Sequence, residues 1–196
     1  MKKSGDTRRR TLDATAKMFH HKGYNKTTLK GIGSLAKIQA PVIYYCFSSK
    51  EQLLEEVLNI GITGIHEAVE EAVAAAPARS SHRNRIEAAI RDHLATLPQH
   101  SDYTAATIIN NNLAPRKVRD RHRVRWEKYT DYWRSLLPQA QAAGEIGPGV
   151  DLILLRLFVL SALFWTYEWY HKDHDPIDDM VAKLSAMLCD GIGGTT

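Results

Sequence analysis

Thr27 to Leu54, TTLKGIGSLAKIQAPVIYYCFSSKEQLL, gathers side chains suited to gripping phosphates and reading base edges. Thr28, or its neighbour Thr27, stands where a helix would start, and a hydroxyl there can cap free amides and meet a phosphate. Gln39, Ala40, Pro41 and Val42 fall at the leading end of a second short helix. Gln39 can donate and accept at a base edge, while Ala40 and Val42 suit thymine methyls. Tyr44 and Tyr45 are adjacent and project at different angles, and Lys50 adds positive charge to the first turn of the next helix. Phe47 is better read as core. The competing reading has the tyrosines packed in a small domain and Lys50 merely solvated. The number of agreeing features favours a nucleic-acid surface.

Charge supports the same surface. Residues 1–50 carry eleven Lys and Arg against Asp6 and Asp13, a net +9, whereas the whole chain is only +4. The remainder is therefore acidic on balance. Such asymmetry suggests a polyanion-binding segment joined to a part with another task. We expect division into a DNA-binding domain, 1–50, and a larger body, 51–196.

Other chemistry is poorly represented. No P-loop, Rossmann glycine pattern or nucleophile elbow occurs, and the pairs Glu55-Glu56, Glu70-Glu71 and Asp178-Asp179 read as helix surface. His20-His21 and His171-x-x-His174, the latter beside Asp173 and Asp175, are the closest approaches to a metal set. Metal sites need several converging ligands, so no metal, cofactor or catalytic residue is expected. The competing class is a metal-binding or enzymatic helical bundle with an incidental basic N-terminus. Cys46 and Cys189 follow no metal or redox spacing, which fits a reduced, cytoplasmic protein. The opening MKKSGDTRRR lacks the apolar stretch of a secretory signal. Leu152 to Tyr170 is long enough to span a bilayer, but Arg156 and Glu168 lie inside it, so a buried helix is the better reading.

The elements that must position these groups are helices throughout, about nine of them. Leu12, Ala16 and Phe19 share a face of a first helix over 6–22, with Gly23 as its left-handed cap. A second helix runs to about Ala36 and a third spans Ala40 to Cys46, with Pro41 in its first turn. Ser48 and Glu51 form a capping box for a fourth, reaching about Ala76. Gly61 and Gly64 weaken that helix, and close packing or bending would explain them. Further helices cover 84–97, stopped by Pro98, then 102–112, then 116–143 with a kink expected at Pro138, then 150–172, and a last one from Pro176.

The pattern ATAKMFHHKGYNKTTL followed by AKIQAPVIYYCFSSKEQLL resembles the N-terminal signature of the TetR family of bacterial regulators. The Gly-Tyr after the first helix, the Thr-Thr before the second and the Tyr-Tyr-x-Phe-x-Ser-Lys-Glu-x-Leu run carry the likeness, which is strongest over residues 7–54. Gly31, Gly33, Pro41 and Cys46 depart from it. The resemblance implies an all-α fold and a three-helix reader with helix-turn-helix geometry. It assigns Tyr45 and Lys50 to the DNA backbone and leaves Tyr44 a mixed role. It also implies a C-terminal body that binds an effector and dimerises through its last two helices. A homodimer would read a palindromic operator on double-stranded DNA, with repression the family default. The C-terminal run ALFWTYEWYHKDHDPIDDMVAKLSAMLCDGI is similar to branches that sense acyl-CoA thioesters, so a small apolar effector of that kind is the first candidate. Ile108, Asn112, Trp126, Tyr129, Trp133, Phe158, Trp165 and Trp169 are the expected effector-binding residues, placing aromatic and a few polar groups on helices expected to pack together. Arg116, Lys117, Arg119, Arg121, Arg123 and Arg125 are read as a solvated basic face in preference to a phosphate site.

Overall fold

The computed structural model describes residues 2–99, 101–169 and 176–190, and all their regular structure is helical. In chain order the helices are α1 Lys2–Lys26, α2 Leu29–Ala36, α3 Ala40–Cys46, α4 Lys50–Ala75 and α5 His82–Gln99. They continue with α6 Ser101–Asn110, α7 Arg116–Ala142, α8 Leu152–Trp169 and α9 Ile177–Asp190. They divide into two compact units. Unit 1 comprises residues 1–64 and 100–126, and unit 2 comprises 65–99 and 127–196.

Local signals account for most boundaries. Gly23 marks the expected break but not as a left-handed helical cap: at φ 71° and ψ 166° it takes a positive-φ, extended conformation open to glycine, and α1 kinks there. Thr28 is extended, and its hydroxyl accepts from the Gly31 amide, capping α2. Pro41 lies in the first turn of α3. Three further expectations need correction. The hydroxyl that caps α4 is that of Ser49, which accepts from the Gln52 amide at 3.1 Å; Ser48 instead meets the Gln52 carboxamide through both its amide and its hydroxyl. Pro138 does not interrupt α7, and Pro98 does not stop α5. On an exposed helix face, Pro138 costs chiefly one backbone hydrogen bond.

Unit 1 closes on a core of Leu12, Phe19, Ile32, Ile43, Phe47, Leu53, Leu54, Val57 and Leu58, joined by Ala106 and Val118. Helices α2 and α3 pack on α1 and share this core with α4 and α6. Gly33 permits the tight α2–α3 turn. A Cβ there would lie 2.7 Å from the Ile38 carbonyl oxygen, which already belongs to a loop closed by Ile38 N–H donating to Gly33. Gly61 has a similar reason. A Cβ would meet the Thr107 hydroxyl and lie 2.7 Å from the Tyr103 carbonyl oxygen on α6, while Gly64 has open space.

Unit 2 packs α5 against α8 and α9. Its buried residues include Ile86, Ile90, Leu94, Tyr129, Trp133, Leu163, Phe164 and Val181. Asp151 caps α8, accepting from the Ile153 and Leu154 amides at 2.8 and 3.1 Å. Among the described residues no helix is long and apolar enough to cross a membrane.

Candidate functional site

Helix α3 is anchored by few side chains. Ile43 is fully buried and Phe47, just beyond the helix, is also in the core, whereas Pro41, Val42, Tyr44 and Tyr45 face outward. Tyr44 is 59% exposed and Tyr45 88% exposed. Leaving two large aromatics bare on a short helix forfeits burial energy that a core position would recover. Gln39 is also exposed, beside the helix start, and Thr28 is exposed at the start of α2. The backbone of Ala40 belongs to α3, while its side chain lies outside the described residues.

Two expected contacts take internal roles. Thr27 is 1% exposed and its hydroxyl donates to the Gly23 carbonyl at 2.8 Å, so it cannot offer itself to a phosphate. Lys50 turns its ammonium inward. It donates to the carbonyls of Tyr24 and Thr27, both at 3.0 Å, and stands 4.1 Å from the Tyr24 ring centroid. These bonds satisfy carbonyls at the α1–α2 junction, where the chain leaves helical geometry. The adjacent spacing of Thr27 and Thr28 could not separate the buried hydroxyl from the exposed one.

The same junction is held from two further sides. Tyr24 donates its phenol proton to Glu51 at 2.9 Å, and burial together with that bond pushes its pKa up to about 12. Asn110, fully buried on α6, accepts from the Tyr24 amide at 2.8 Å. Its own amide donates to the carbonyls of Phe19 and Ala106, at 3.1 and 2.7 Å. Sequence reading does not single out Asn110. A polar residue ending an otherwise apolar helix face is the only signal it offers.

The expected effector residues fall in different surroundings. In unit 1, Ile108 and Trp126 are half-buried and Asn112 is exposed. In unit 2, Tyr129 and Trp133 are fully buried, whereas Phe158 and Trp165 are 61% and 65% exposed on α8. The Trp169 side chain lies outside the described residues, as do His171, Asp173, His174 and Asp175. Phe158 and Trp165 are therefore corrected from interior to surface positions. Phe158 edges an apolar cleft of about 240 Å³ between α5, α8 and α9, shared with Ile90, Val159, Leu163 and Met187.

Tyr129 belongs instead to a buried polar pair. Its hydroxyl lies 2.6 Å from His93 Nδ1, and the Phe164 ring packs edge-on against both, with centroids 4.9 Å from His93 and 6.1 Å from Tyr129. Burial drives the His93 pKa down to about 3, and it drives that of Tyr129 far up. The imidazole is thus neutral in the fold but titrates near its ordinary 6.5 when unfolded. The stability it confers is complete above pH 6.5 and falls with acidification towards pH 3. Urea melts should show a loss of ~1.4 kcal/mol per pH unit from this group below pH 6.5. His93→Gln should flatten that slope between pH 6 and 4.5. An identical slope in the variant would refute the assignment.

The basic face of α7 is largely paired within unit 1. Arg121 donates to Glu55 at 2.7 Å, Arg119 donates to the Asn112 carbonyl at 3.1 Å, and Arg116 lies 3.8 Å from Asp120. Glu56 pairs with Arg8, so Glu55 and Glu56 serve as salt-bridge partners.

Comparison with known proteins agrees with this geometry. Residues 12–57 match the family model described as bacterial regulatory proteins, tetR family. Residues 79–192 match that of the tetracyclin repressor-like C-terminal domain. The HTH-type transcriptional repressor KstR2 of Rhodococcus jostii (strain RHA1) is 26% identical, with 96% of this chain and 93% of that protein covered. Among solved structures, AibR in complex with isovaleryl coenzyme A and operator DNA superposes with TM-score 0.82 at 23% identity, covering 93% of this chain and 98% of that one. PfmR, a TetR family transcriptional regulator from Thermus thermophilus, gives TM-score 0.81 at 20% identity, covering 94% and 99%.

Proposed function

Since this chain belongs to the TetR family of bacterial regulatory proteins and is a DNA-binding transcriptional regulator, we propose that it is a cytoplasmic repressor that binds a palindromic operator as a homodimer and leaves it when a small apolar effector binds. The observation that carries the reading is the outward face of α3, where Val42, Tyr44 and Tyr45 stand exposed on a helix pinned from behind by Ile43. We assign Gln39, Ala40, Pro41 and Val42 to base edges, and Thr28, Tyr44 and Tyr45 to the sugar-phosphate backbone. The reader is the segment 1–50 and the effector and dimer functions belong to 51–196. No turnover is proposed.

Dimerisation rests on α8. Ile153, Leu154, Leu157, Phe158 and Trp165 are exposed on that one helix, and Met187 of α9 is also exposed. Soluble monomers rarely expose so large an apolar surface. Ser161 is exposed on α8 as well and would allow another helix to come close. A two-fold pair matches the symmetry of a palindromic site.

For the effector we retain Tyr129 and Trp133 and add His93, the hydrogen-bond partner of Tyr129, all within unit 2. An acyl-CoA thioester is the favoured class, on the loose likeness of the C-terminal run and the isovaleryl coenzyme A bound by AibR. An effector releases DNA only through unequal affinity for the two arrangements, and a hundredfold loss of operator affinity requires about 2.7 kcal/mol of coupling.

Selection from a random duplex pool tests the reading. A palindromic motif is the expected outcome. Gln39→Ala should change the preferred sequence, and Tyr45→Ala should weaken all sequences alike. Lys50→Met should lower the melting temperature while leaving the salt slope of binding unchanged, because its ammonium is committed to two carbonyls. A pool that yields no motif defeats the DNA assignment. Isovaleryl-CoA and longer acyl-CoA thioesters titrated into the operator complex test the effector class, and binding with unchanged operator affinity would defeat the release mechanism.

A further inference from the structure

We propose that His20, His21 and Asp102 form a binding site for a divalent transition-metal ion in unit 1, with zinc(II) the best match. Their donor atoms converge within 4.8 Å of one another. His20 Nδ1 lies 2.8 Å from Asp102 Oδ1, and His21 Nε2 lies 4.0 Å from the same oxygen. The two imidazoles stack with centroids 4.2 Å apart and planes inclined by 22°. His20 and His21 come from α1 and Asp102 from the first turn of α6, two helices that pack extensively against each other.

The donor set selects the metal class. Two imidazoles and one carboxylate suit zinc, which commonly takes three protein ligands and leaves a fourth position for water. Calcium and magnesium prefer oxygen donors. In a tetrahedral site with bonds of about 2.1 Å, donors lie about 3.4 Å apart, so the cluster must contract by roughly 1.4 Å. Rotation of His21, whose side chain is more than half exposed, and of the partly exposed Asp102 carboxylate can supply that movement. Metal binding takes the Nδ1 lone pair of His20. A neutral imidazole so bound carries its ring proton on Nε2.

The site would staple α1 to α6 on the helices that Asn110 already ties together at Tyr24. Bound zinc should therefore stiffen the support of the reading helices. Sequence alone shows the adjacent histidines but not a carboxylate 82 positions away.

Isothermal titration of the full chain with zinc chloride, and cobalt(II) absorption as a report on coordination, test the site. We expect one zinc per chain in the micromolar range and a rise in melting temperature. His21→Ala and Asp102→Asn should each weaken zinc at least tenfold. His21→Ala is the cleaner variant because its side chain is largely exposed. A variant lacking His171 and His174 should bind as wild type does. Absence of binding to wild type, or equal affinity in His21→Ala, would overturn the proposal. Operator selection by zinc-free protein is read separately, so failure here leaves the DNA assignment standing.

Discussion

Leu157→Asp should convert the protein to a monomer at micromolar concentration and reduce operator affinity at least a hundredfold. Leu157 is about half exposed on α8, the helix that also exposes Leu154, Phe158 and Trp165. A carboxylate placed there costs little in an isolated chain, because water reaches it. In a two-fold interface it would be buried facing its own symmetry mate or apolar side chains, at a cost of several kcal/mol. Loss of the pair separates the reading heads. Each head must then find its half-site independently, and the gain from tethered second binding disappears. Sedimentation velocity should show half the mass, with circular dichroism unchanged. A variant that remains dimeric and binds operator normally would remove α8 from the interface.

Two glycines on α4 should respond in opposite directions. Gly61→Ala is expected to destabilise the protein by about 1–3 kcal/mol, because its methyl group would press on the Tyr103 carbonyl oxygen, 2.7 Å away, and on the Thr107 hydroxyl. Backbone cannot move aside as a flexible side-chain end could. Gly64→Ala meets nothing within 4 Å and should stabilise by about 0.5–1 kcal/mol through helix propensity and reduced unfolded-state entropy. At ~2–4 °C per kcal/mol for a chain of this length, the melting temperatures should move visibly apart. Displacing α6 from Gly61 also disturbs Asn110 and its hold on Tyr24, so Gly61→Ala should weaken operator binding as well. Equal melting temperatures for the two variants would show that α6 does not approach α4 closely at Gly61.

Stability and operator affinity should be linked through the α1–α2 junction. Asn110, Lys50 and Glu51 all act on Tyr24, and none of them is on α3. The α1–α2 junction is therefore held by groups outside α3. Substitutions there should lower affinity for all sequences without altering which sequence is preferred, unlike Gln39→Ala.

Features encoded within a few residues were legible before any fold was known. A threonine cap at the start of α2, the Gly23 break, the first-turn Pro41 and the helical spacing of Leu53, Leu54, Val57 and Leu58 all express local backbone geometry or packing stripes that repeat every three or four positions. The concentration of positive charge in residues 1–50 was equally legible, because charge needs no fold to be counted. The packed molecule was needed to show which of two neighbouring threonines is buried, that Lys50 serves carbonyls 23 and 26 positions away, and that Gly61 is tightly packed where Gly64 is not. It also placed Phe158 and Trp165 on the surface of a helix too apolar on every side for its periodicity to reveal the inner face. Asp102 beside His20, and Asn110 beneath Tyr24, depend on α6 returning to α1. Contacts across such separations come from the shapes of packed helices, and local spacing carries no record of them.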